Sequence, residues 1–353
     1  MKYSIIVPVY NRPDEVDELL QSLTEQELKD FEVVIVEDGS QKPCKDVCDK
    51  FADILDLHYY VKENGGPGQA RNYGAERARG EWLIILDSDV VLPKGYLKAV
   101  EDGLRGERRE EKGEFAAFGG PDASHPSFTP VQKAISYSMT SFFTTGGIRG
   151  GKKKLDKFYP RSFNMGIRRD VYQQLGGFSK MRFGEDIDFS YRIVEAGYNP
   201  QLIPDAWVWH KRRTDFRKFF RQVYNSGIAR INLEKRHPGT LKLVHLLPMV
   251  FTVGVIALIL IAAVARAMIH YDAENWHTWY WICLLALSPI LFYSLIIFID
   301  SSIKNKSLKV GLLSVPAAFV QLMGYGFGFI ESWWKRCVMK KDEFQAFEKN
   351  FYK

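Results

Sequence analysis

Three long uncharged stretches in the last third of the chain constrain its fold more than any other feature of the sequence. They are Leu246–Ala265, Trp279–Ile299 and Val310–Ile330. Each reaches about twenty residues, the length that an α-helix needs to cross the hydrocarbon core of a bilayer. Three successive apolar stretches of this length are not typical of the core of a soluble protein, so we predict that the first two span a membrane.

The third stretch allows two interpretations. The loop His270–Thr278 contains acidic residues and no lysine or arginine, whereas the loop over 300–309 contains three lysines. The positive-inside rule therefore places the lysine loop and the region before residue 240 in the cytoplasm. A third crossing would put the basic residues of 335–341 outside, against that rule. Pro316 and the glycines at 324, 326 and 328 would instead allow the stretch to bend and re-enter, and both possibilities stay open.

A basic, aromatic segment precedes the first apolar stretch. Between His210 and His237, lysines and arginines alternate with aromatic and aliphatic residues such as Phe216 and Phe219. A solvated helix is one interpretation, but a basic aromatic helix next to a span is typical of a helix that lies on an anionic membrane surface. We therefore expect membrane lipids among the partners of this chain.

Charge and cysteine content argue against other classes of protein. The formal net charge is only +6, with both signs interspersed, whereas a nucleic-acid groove requires a concentrated basic stripe, so we expect no nucleic-acid partner. The four cysteines form neither a zinc pattern nor a disulfide framework, which favours a reducing compartment. The N-terminus lacks the apolar region of a signal peptide, so we expect it in the cytoplasm.

Before residue 240, short apolar runs alternate with helix-like segments. Predicted strands are Tyr3–Val9, Phe31–Val36, Asp56–Val61 and Glu81–Leu86, and predicted helices cover Pro13 to Leu23, Lys45–Leu55 and Ala70–Arg79. Apolar strands that alternate with helices predict an α/β fold with a mostly parallel open sheet, covered by helices on both faces. Ligands bind such sheets beyond the carboxyl ends of their strands.

Polar and acidic residues gather at those strand ends, which read PVYN, EDGS, KENGG and DSD. In the last of them, Asp87 and Asp89 are two residues apart, so their side chains can lean to the same side. Two neighbouring carboxylates repel each other unless a cation lies between them, and Mg²⁺ takes one or two carboxylates together with water and substrate phosphates. The alternative is a turn in which Asp87 caps the next segment and Asp89 is solvated.

The order of motifs along the first 215 residues resembles that of family 2 glycosyltransferases, inverting nucleotide-sugar enzymes with the A-type fold. The motifs are SIIVPVYN, VVIVEDGS, NGGPGQARNYG, GEWLIILDSDV, FNMGIRRDVYQQLGGF and GEDIDFSYRIVEAG. Each alone is modest evidence, but all six in this order are highly specific. The resemblance implies a Rossmann-like nucleotide-diphospho-sugar transferase fold, a nucleotide-sugar donor and a divalent ion, Mg²⁺ or Mn²⁺.

The resemblance also implies roles for residues of the first four motifs. The nucleotide pocket would be lined by Pro8, Tyr10, Asn11 and Asp38, although Tyr10 and Asn11 could instead only form the strand-to-helix turn. Arg71 would lie near the diphosphate, with an exposed helix residue as an equal alternative. Asp89, together with Asp87, would hold the ion that bridges the two phosphates, where a cation stabilises the departing nucleoside diphosphate.

Three later positions complete the implied site. Asp186 would deprotonate the acceptor hydroxyl, with Glu185 beside it at the substrate, although acidic residues in a first helical turn are favoured by the helix dipole without any such role. The neighbours Glu185 and Asp188 would raise the pKa of Asp186 and the helix N-terminus would lower it. Asn164 either bonds a sugar hydroxyl or caps the helix that follows, and His210 either completes the metal shell or is structural.

These features predict a multi-pass protein of the cell (inner) membrane with a cytoplasmic catalytic domain. We assign 1–209 to the catalytic domain, 210–240 to basic interfacial helices, 241–334 to two or three spans and 335–353 to a basic tail. The loop Gly119–Arg161 is expected to select the substrate, with GGIRGGKKK at 146–154 as a lid.

The likeness to single-addition transferases of bacterial exopolysaccharide assembly implies a lipid-linked or polysaccharide acceptor. RQVYNSG stands where polymer-forming relatives have a Q-x-x-R-W motif, which weakens an assignment as a long-chain synthase. The alternatives are a polyprenyl-phosphate sugar synthase and a membrane-tethered protein that binds sugar nucleotides without catalysis.

Overall fold

The computed structural model describes residues 1–106, 114–145, 158–181, 183–344 and 346. The expected lid at 146–154 and most of the tail beyond residue 344 lie outside these residues. The chain divides into two compact units. The first comprises Met1–Pro126 and Lys154–Lys211, and the second comprises Ser127–Lys153 and Arg212–Lys353. The segment Ser127–Lys153, which was predicted to belong to the catalytic domain, therefore groups with the C-terminal helices.

The first unit alternates strands and helices, as the sequence predicts. Its strands are β1 Tyr3–Val9, β2 Phe31–Asp38, β3 Leu57–Lys62, β4 Trp82–Leu86, β5 Val90–Val91, β6 Ala117–Gly119, β7 Asp122–Ala123, β8 Asn164–Arg168, β9 Gln201–Leu202 and β10 Val208–His210. Its helices are α1 Pro13–Thr24, α2 Lys45–Phe51, α3 Pro67–Ala75, α4 Tyr96–Arg105, α7 Arg169–Gln174 and α8 Glu185–Glu195. The helix predicted from Ala70 begins at Pro67 instead, because proline is favoured in the first turn of a helix.

The main sheet confirms the prediction of a mostly parallel α/β fold. Its strand order is β3-β2-β1-β4-β8-β6-β9. The first four strands pair in parallel, whereas β8 runs antiparallel to both of its neighbours. The carboxyl ends of β1, β2 and β4 therefore meet at one edge, where the polar strand ends were expected to gather.

A second, three-stranded sheet has the order β5-β10-β7. In its antiparallel pair, His210 of β10 lies opposite Val90 of β5. Since Val90 directly follows Asp89, this register brings His210, near the end of the first unit, to the tip of β4.

Helices cover both faces of the main sheet. One hydrophobic cluster includes Ile5 and Val7 of β1 with Leu19 and Leu20 of α1, and a second includes Ile6 of β1 with residues of α3 and α8. All of these named side chains are fully buried. Burying a side chain of this size contributes about 1.5–3 kcal/mol, so the two clusters hold the strand ends in fixed positions.

The regular elements in the described part of the second unit are helices. They are α5 Pro130–Thr140, α6 Phe142–Thr145, α9 Phe216–Arg236, α10 Leu247–Tyr271, α11 Trp276–Asn305 and α12 Leu308–Trp333, with a 3₁₀ turn at Leu243–Leu246 and a π-helical turn at Trp334–Val338. The helical segments Leu243–Tyr271, Trp276–Asn305 and Leu308–Val338 are long and apolar enough to cross a membrane.

The third apolar stretch forms one continuous helix, so the chain does not break at its proline or glycines to re-enter. Pro316 lies inside α12 without ending it. Two of the glycines allow close packing: a Cβ at Gly326 would lie 2.6 Å from the carbonyl oxygen of Pro248 in α10, and one at Gly328 would clash with the carbonyl oxygen of Tyr224 in α9. Small residues of this kind let helix backbones approach each other closely.

The basic aromatic segment forms the single helix α9. The side chain of Asp215 caps it by accepting a hydrogen bond of 2.8 Å from the backbone N–H of Lys218. Phe219 and Val223 are buried against α5. Part of the apolar face that was expected to contact lipid therefore packs on protein, and the position of α9 on a membrane surface stays a prediction.

Candidate active site

Three predicted metal ligands come together at the tip of β4. One ligand atom from each of Asp87, Asp89 and His210 lies within 4.8 Å of the others. His210 Nε2 is 3.3 Å from Asp89 Oδ1, and the imidazole ring stacks on Phe163 with centroids 5.0 Å apart. Its Nδ1 lies 3.8 Å from Asp122 Oδ2. Two carboxylates and one imidazole supply the oxygen and nitrogen donors that divalent ions use, so the cluster fits a metal site.

An arginine bonds each of the two aspartates. Arg71 Nη2 donates to Asp87 Oδ1 at 2.7 Å, and Arg12 Nη1 donates to Asp89 Oδ2 at 2.6 Å. Arg12 was not predicted from the sequence, although its place in the turn between β1 and α1 marks it as a residue of this edge. Both guanidinium groups bring positive charge to the place where an anionic diphosphate was expected.

Arg71 is buried, which excludes the alternative interpretation of Arg71 as an exposed helix residue. Its side chain is 3% exposed, and its Nη1 donates to Glu185 Oε1 at 2.8 Å. Burial alone would lower its pKa, but the charges of Asp87 and Glu185 hold the pKa above the usual value for arginine. Arg71 thus joins the tip of β4 to the start of α8.

The two acidic residues at the start of α8 differ in pKa. Gly184 precedes them in the left-handed conformation, with φ of 84°, which glycine adopts without strain. Burial raises the pKa of Glu185 to about 7, and the charge of Asp186 adds to this against the opposing effect of Arg71. For Asp186, burial also favours a higher pKa, but the charge of Arg161 and its hydrogen bond outweigh burial and lower the pKa.

Arg161 therefore decides that the pKa of Asp186 is lowered rather than raised, which the sequence leaves open. Its Nε donates to Asp186 Oδ2 at 2.6 Å, and the Asp186 side chain is only 11% exposed. The sequence holds no periodic signal for this pair, because Arg161 lies in irregular chain before β8 and reaches α8 only in the tertiary structure. At neutral pH, Asp186 is ionised and able to accept a proton.

Two residues predicted for the nucleotide pocket organise loops at the sheet edge. Asp38 accepts hydrogen bonds from the backbone N–H groups of Gly65 at 2.9 Å and Gly66 at 2.8 Å, and Lys62 Nζ lies 2.8 Å from it. Asn11, at φ of 55°, accepts bonds through Oδ1 from the backbone of residues 41 and 42. Both side chains hold the loops after β2 and β3 in place, and nucleotide contact by either stays a prediction.

The remaining predicted residues are placed as follows. Pro8 is buried in β1 opposite Val36 of β2, and Tyr10 is partly exposed just beyond the end of β1. Asn164 is 1% exposed, accepts a hydrogen bond from Tyr96 Oη at 2.7 Å and donates to the carbonyl oxygen of Ala206 at 2.8 Å. It begins β8 rather than capping a helix, and its contact with a sugar hydroxyl stays a prediction.

Comparisons with known proteins agree with this fold. Residues 4–176 match the model of the family described as glycosyl transferase family 2. Glycosyltransferase AglE of Haloferax volcanii is 26% identical over 240 residues, which are 65% of this chain and 73% of AglE. Poly(ribitol-phosphate) beta-N-acetylglucosaminyltransferase TarS of Staphylococcus aureus is 39% identical over 102 residues, 28% of this chain and 18% of TarS. The match thus spans less than a fifth of TarS.

A solved structure shares the architecture. The mannosyltransferase PcManGT from Pyrobaculum calidifontis, solved in complex with GDP-Man and Mn²⁺, has a TM-score of 0.56 over 95% of this chain and 88% of its own, at 16% sequence identity. At this identity the likeness shows the fold. Residues 4–176 therefore form a domain that matches glycosyl transferase family 2.

Proposed function

We propose that this protein transfers a sugar, with inversion, from a nucleotide-sugar donor to a hydroxyl group of a lipid-linked or polysaccharide acceptor at the cytoplasmic face of the cell membrane. One observation carries the proposal: the Asp87–Asp89–His210 cluster is joined through Arg71 to the acidic start of α8. A donor-binding group and a base thus occur in one connected site.

Asp87, Asp89 and His210 would hold Mg²⁺ or Mn²⁺. When bound, such an ion supplies charge stabilisation to a departing nucleoside diphosphate. Arg12 and Arg71 each hold one carboxylate oxygen, so the two aspartates are oriented before any ligand arrives. That PcManGT was solved with GDP-Man and Mn²⁺ supports a nucleotide sugar and a divalent ion as ligands of this fold.

Asp186 would act as the general base. A sugar hydroxyl is a weak nucleophile at neutral pH, and a carboxylate within hydrogen-bond reach can remove its proton as the new bond forms. Arg161 holds Asp186 ionised and oriented. Because the acceptor attacks the donor directly, no covalent bond to the protein forms and the anomeric configuration is inverted.

The membrane assignment is supported by three helices of spanning length. Lysines lie at the end of α11 and in the turn before α12, whereas the loop between α10 and α11 carries Asp272 and Glu274. The positive-inside rule therefore supports a cytoplasmic catalytic domain, where nucleotide sugars would be available to it.

A direct test measures release of nucleoside diphosphate by the purified full chain from a panel of nucleotide sugars, with and without Mn²⁺, in the presence of a lipid extract of its source membrane as acceptor. We expect release from one donor, dependent on the ion, with product of inverted configuration. Asp186→Asn should lower kcat by about 10²–10⁴-fold, while Asp49→Asn, at an exposed carboxylate in α2, should leave it unchanged. Full activity of Asp186→Asn would contradict the base assignment and favour a phosphate acceptor.

A further inference from the structure

Residues 134–145, which comprise α5 from its second turn onward and α6, form a short segment of the second unit with an unusual composition. Residues 134–145, AISYSMTSFFTT, contain no charged side chain. The inner side of the segment is buried: Ile135 packs with Phe219 of α9, and Tyr137 packs with Ile297 of α11 and Ala318 of α12. The segment is therefore an integral part of the bundle that contains the spanning helices.

Its start lies level with the lysine-rich end of α11. Tyr137 Oη donates a hydrogen bond of 2.6 Å to Asp300 Oδ2. Lys304 Nζ bonds the same oxygen at 2.9 Å and lies 5.8 Å from the centre of the Tyr137 ring. Charged groups of this kind mark the end of a spanning helix, where it leaves the hydrocarbon core.

Its end lies deeper along the same helix. Tyr293 Oη donates a hydrogen bond of 3.2 Å to the carbonyl oxygen of Phe143. Tyr293 precedes Asp300 by two turns of α11, which corresponds to about 10 Å at a rise of 1.5 Å per residue. From Tyr137 to Phe143, the segment therefore runs along α11 from its charged end toward its apolar middle.

Hydroxyl side chains all along the segment are bonded within it. Hydroxyl groups donate to backbone carbonyl oxygens from Ser138 to Ile135 at 2.8 Å, Thr140 to Ser136 at 2.9 Å, Thr144 to Ser141 at 3.0 Å and Thr145 to Ser141 at 2.8 Å. A segment in hydrocarbon must satisfy its polar groups internally, because no water is present to do so. The hydroxyl groups thus suit an apolar surrounding.

Two aromatic side chains point away from the protein at this depth. Phe142 is 68% exposed and Phe143 is 42% exposed, while Leu291 of α11, close to the same level, is 65% exposed. We propose that α6 and the end of α5 are inserted into the bilayer, with Phe142 and Phe143 in contact with lipid acyl chains. Residues 134–145 are then a further membrane anchor. This inference rests on the proposed membrane location of the protein.

The test places a spin label at Phe142→Cys in the full chain, with Cys283 and Cys337 replaced by serine. The protein is reconstituted in vesicles of phosphatidylethanolamine and phosphatidylglycerol. Collision rates of the label with dissolved oxygen and with a water-soluble nickel chelate report whether it lies in lipid or in water. Leu291→Cys is the lipid control, and Ile54→Cys, at a side chain of similar exposure in the first unit, is the water control.

We expect the label at Phe142 to collide severalfold more with oxygen than with nickel, as at Leu291, and the opposite at Ile54. If nickel reaches the label at Phe142 while the label at Leu291 lies in lipid, the inserted position of α6 is refuted but the membrane location of the protein is not. A label at Phe142 that neither reagent reaches would show protein cover and would also overturn it. Nickel access at Leu291 would refute the membrane location itself. Phe143→Cys provides a second position if the first variant does not fold.

Discussion

The buried ion pair between Arg71 and Glu185 leads to our most quantitative prediction. The two side chains are 3% and 8% exposed and join at 2.8 Å, so solvent screens their interaction only weakly. Arg71→Met removes the cation and leaves the Glu185 carboxylate buried beside Asp186. At a pH high enough to keep Glu185 ionised, breaking a buried pair from one side costs about 3–5 kcal/mol, because the remaining charge has lost its compensation.

This loss translates into a measurable shift of melting temperature. For a domain of about 150–250 residues, 1 kcal/mol corresponds to about 2–4 °C, so Arg71→Met should lower the melting temperature of the first unit by about 6–20 °C. The double variant Arg71→Met/Glu185→Gln removes both charges and should recover a large part of that loss, because replacing a whole buried pair with neutral groups is often close to neutral.

The loss of stability caused by Arg71→Met should also depend on pH. The pKa of Glu185 is about 7 in the folded protein, above its ordinary value of 4.5, and loss of Arg71 raises it further. A raised carboxyl pKa means that the folded state binds the proton more tightly than the unfolded state, so its contribution to stability is present at low pH and is lost as pH rises through the folded pKa. Arg71→Met should therefore be least stable, relative to the parent protein, above pH 7.

Thiol reactivity during heating measures the unfolding of the first unit specifically. Cys44 and Cys48 are buried in the first unit, so in a background with Cys283 and Cys337 replaced by serine, reaction with a fluorogenic maleimide reports its unfolding. Arg168→Met is the matched control, because its ion pairs are largely exposed and exposed pairs contribute only about 0–1 kcal/mol. A shift for Arg71→Met no larger than that of the control, without recovery in the double variant, would refute the reasoning.

Three further predictions concern the proposed base, the candidate metal cluster and the helix packing. Arg161→Gln removes the charge that lowers the pKa of Asp186, so the acid limb of the kcat/KM profile should move to higher pH; an unchanged limb would show that Asp186 is not the titrating base. Asp89→Asn should weaken Mn²⁺ binding, measured by calorimetry, by at least about tenfold; equal affinity would place the ion elsewhere. Gly328→Val should destabilise the second unit by about 1–3 kcal/mol or more in detergent melting, because a Cβ there would clash with a carbonyl group of α9. Gly254→Val, where a Cβ meets no neighbour within 4 Å among the described residues, should have little effect, and equal melting of both variants would contradict the packing argument.

Much of the fold could be predicted because its signals are local. The apolar face of α1 follows from the spacing of Val16, Leu19 and Leu23, and the continuous apolar runs of β1 and β4 indicate strands buried on both faces. Helix boundaries were less accurate, as at α2, which ends at Phe51 rather than at Leu55. Ends of elements depend on single hydrogen bonds, which periodicity does not encode.

The candidate site could be predicted only in part. Asp87 and Asp89 were expected at a strand tip and Glu185 and Asp186 at a helix start, because these positions follow directly from neighbouring residues. Partners that come from distant segments or irregular chain, such as Arg161 for Asp186, have no counterpart in a local pattern.

The order of side chains within short windows is enough to identify the buried strands, the helices that are apolar enough for a bilayer and the strand ends that carry acids. Which of these ends meet depends on how the chain packs in three dimensions. The pairing of β10 with β5 brings His210 to Asp89, and the burial of Arg71 joins Asp87 to Glu185. Such contacts arise when separate layers pack on one another, because packing selects partners by shape and charge rather than by distance along the chain.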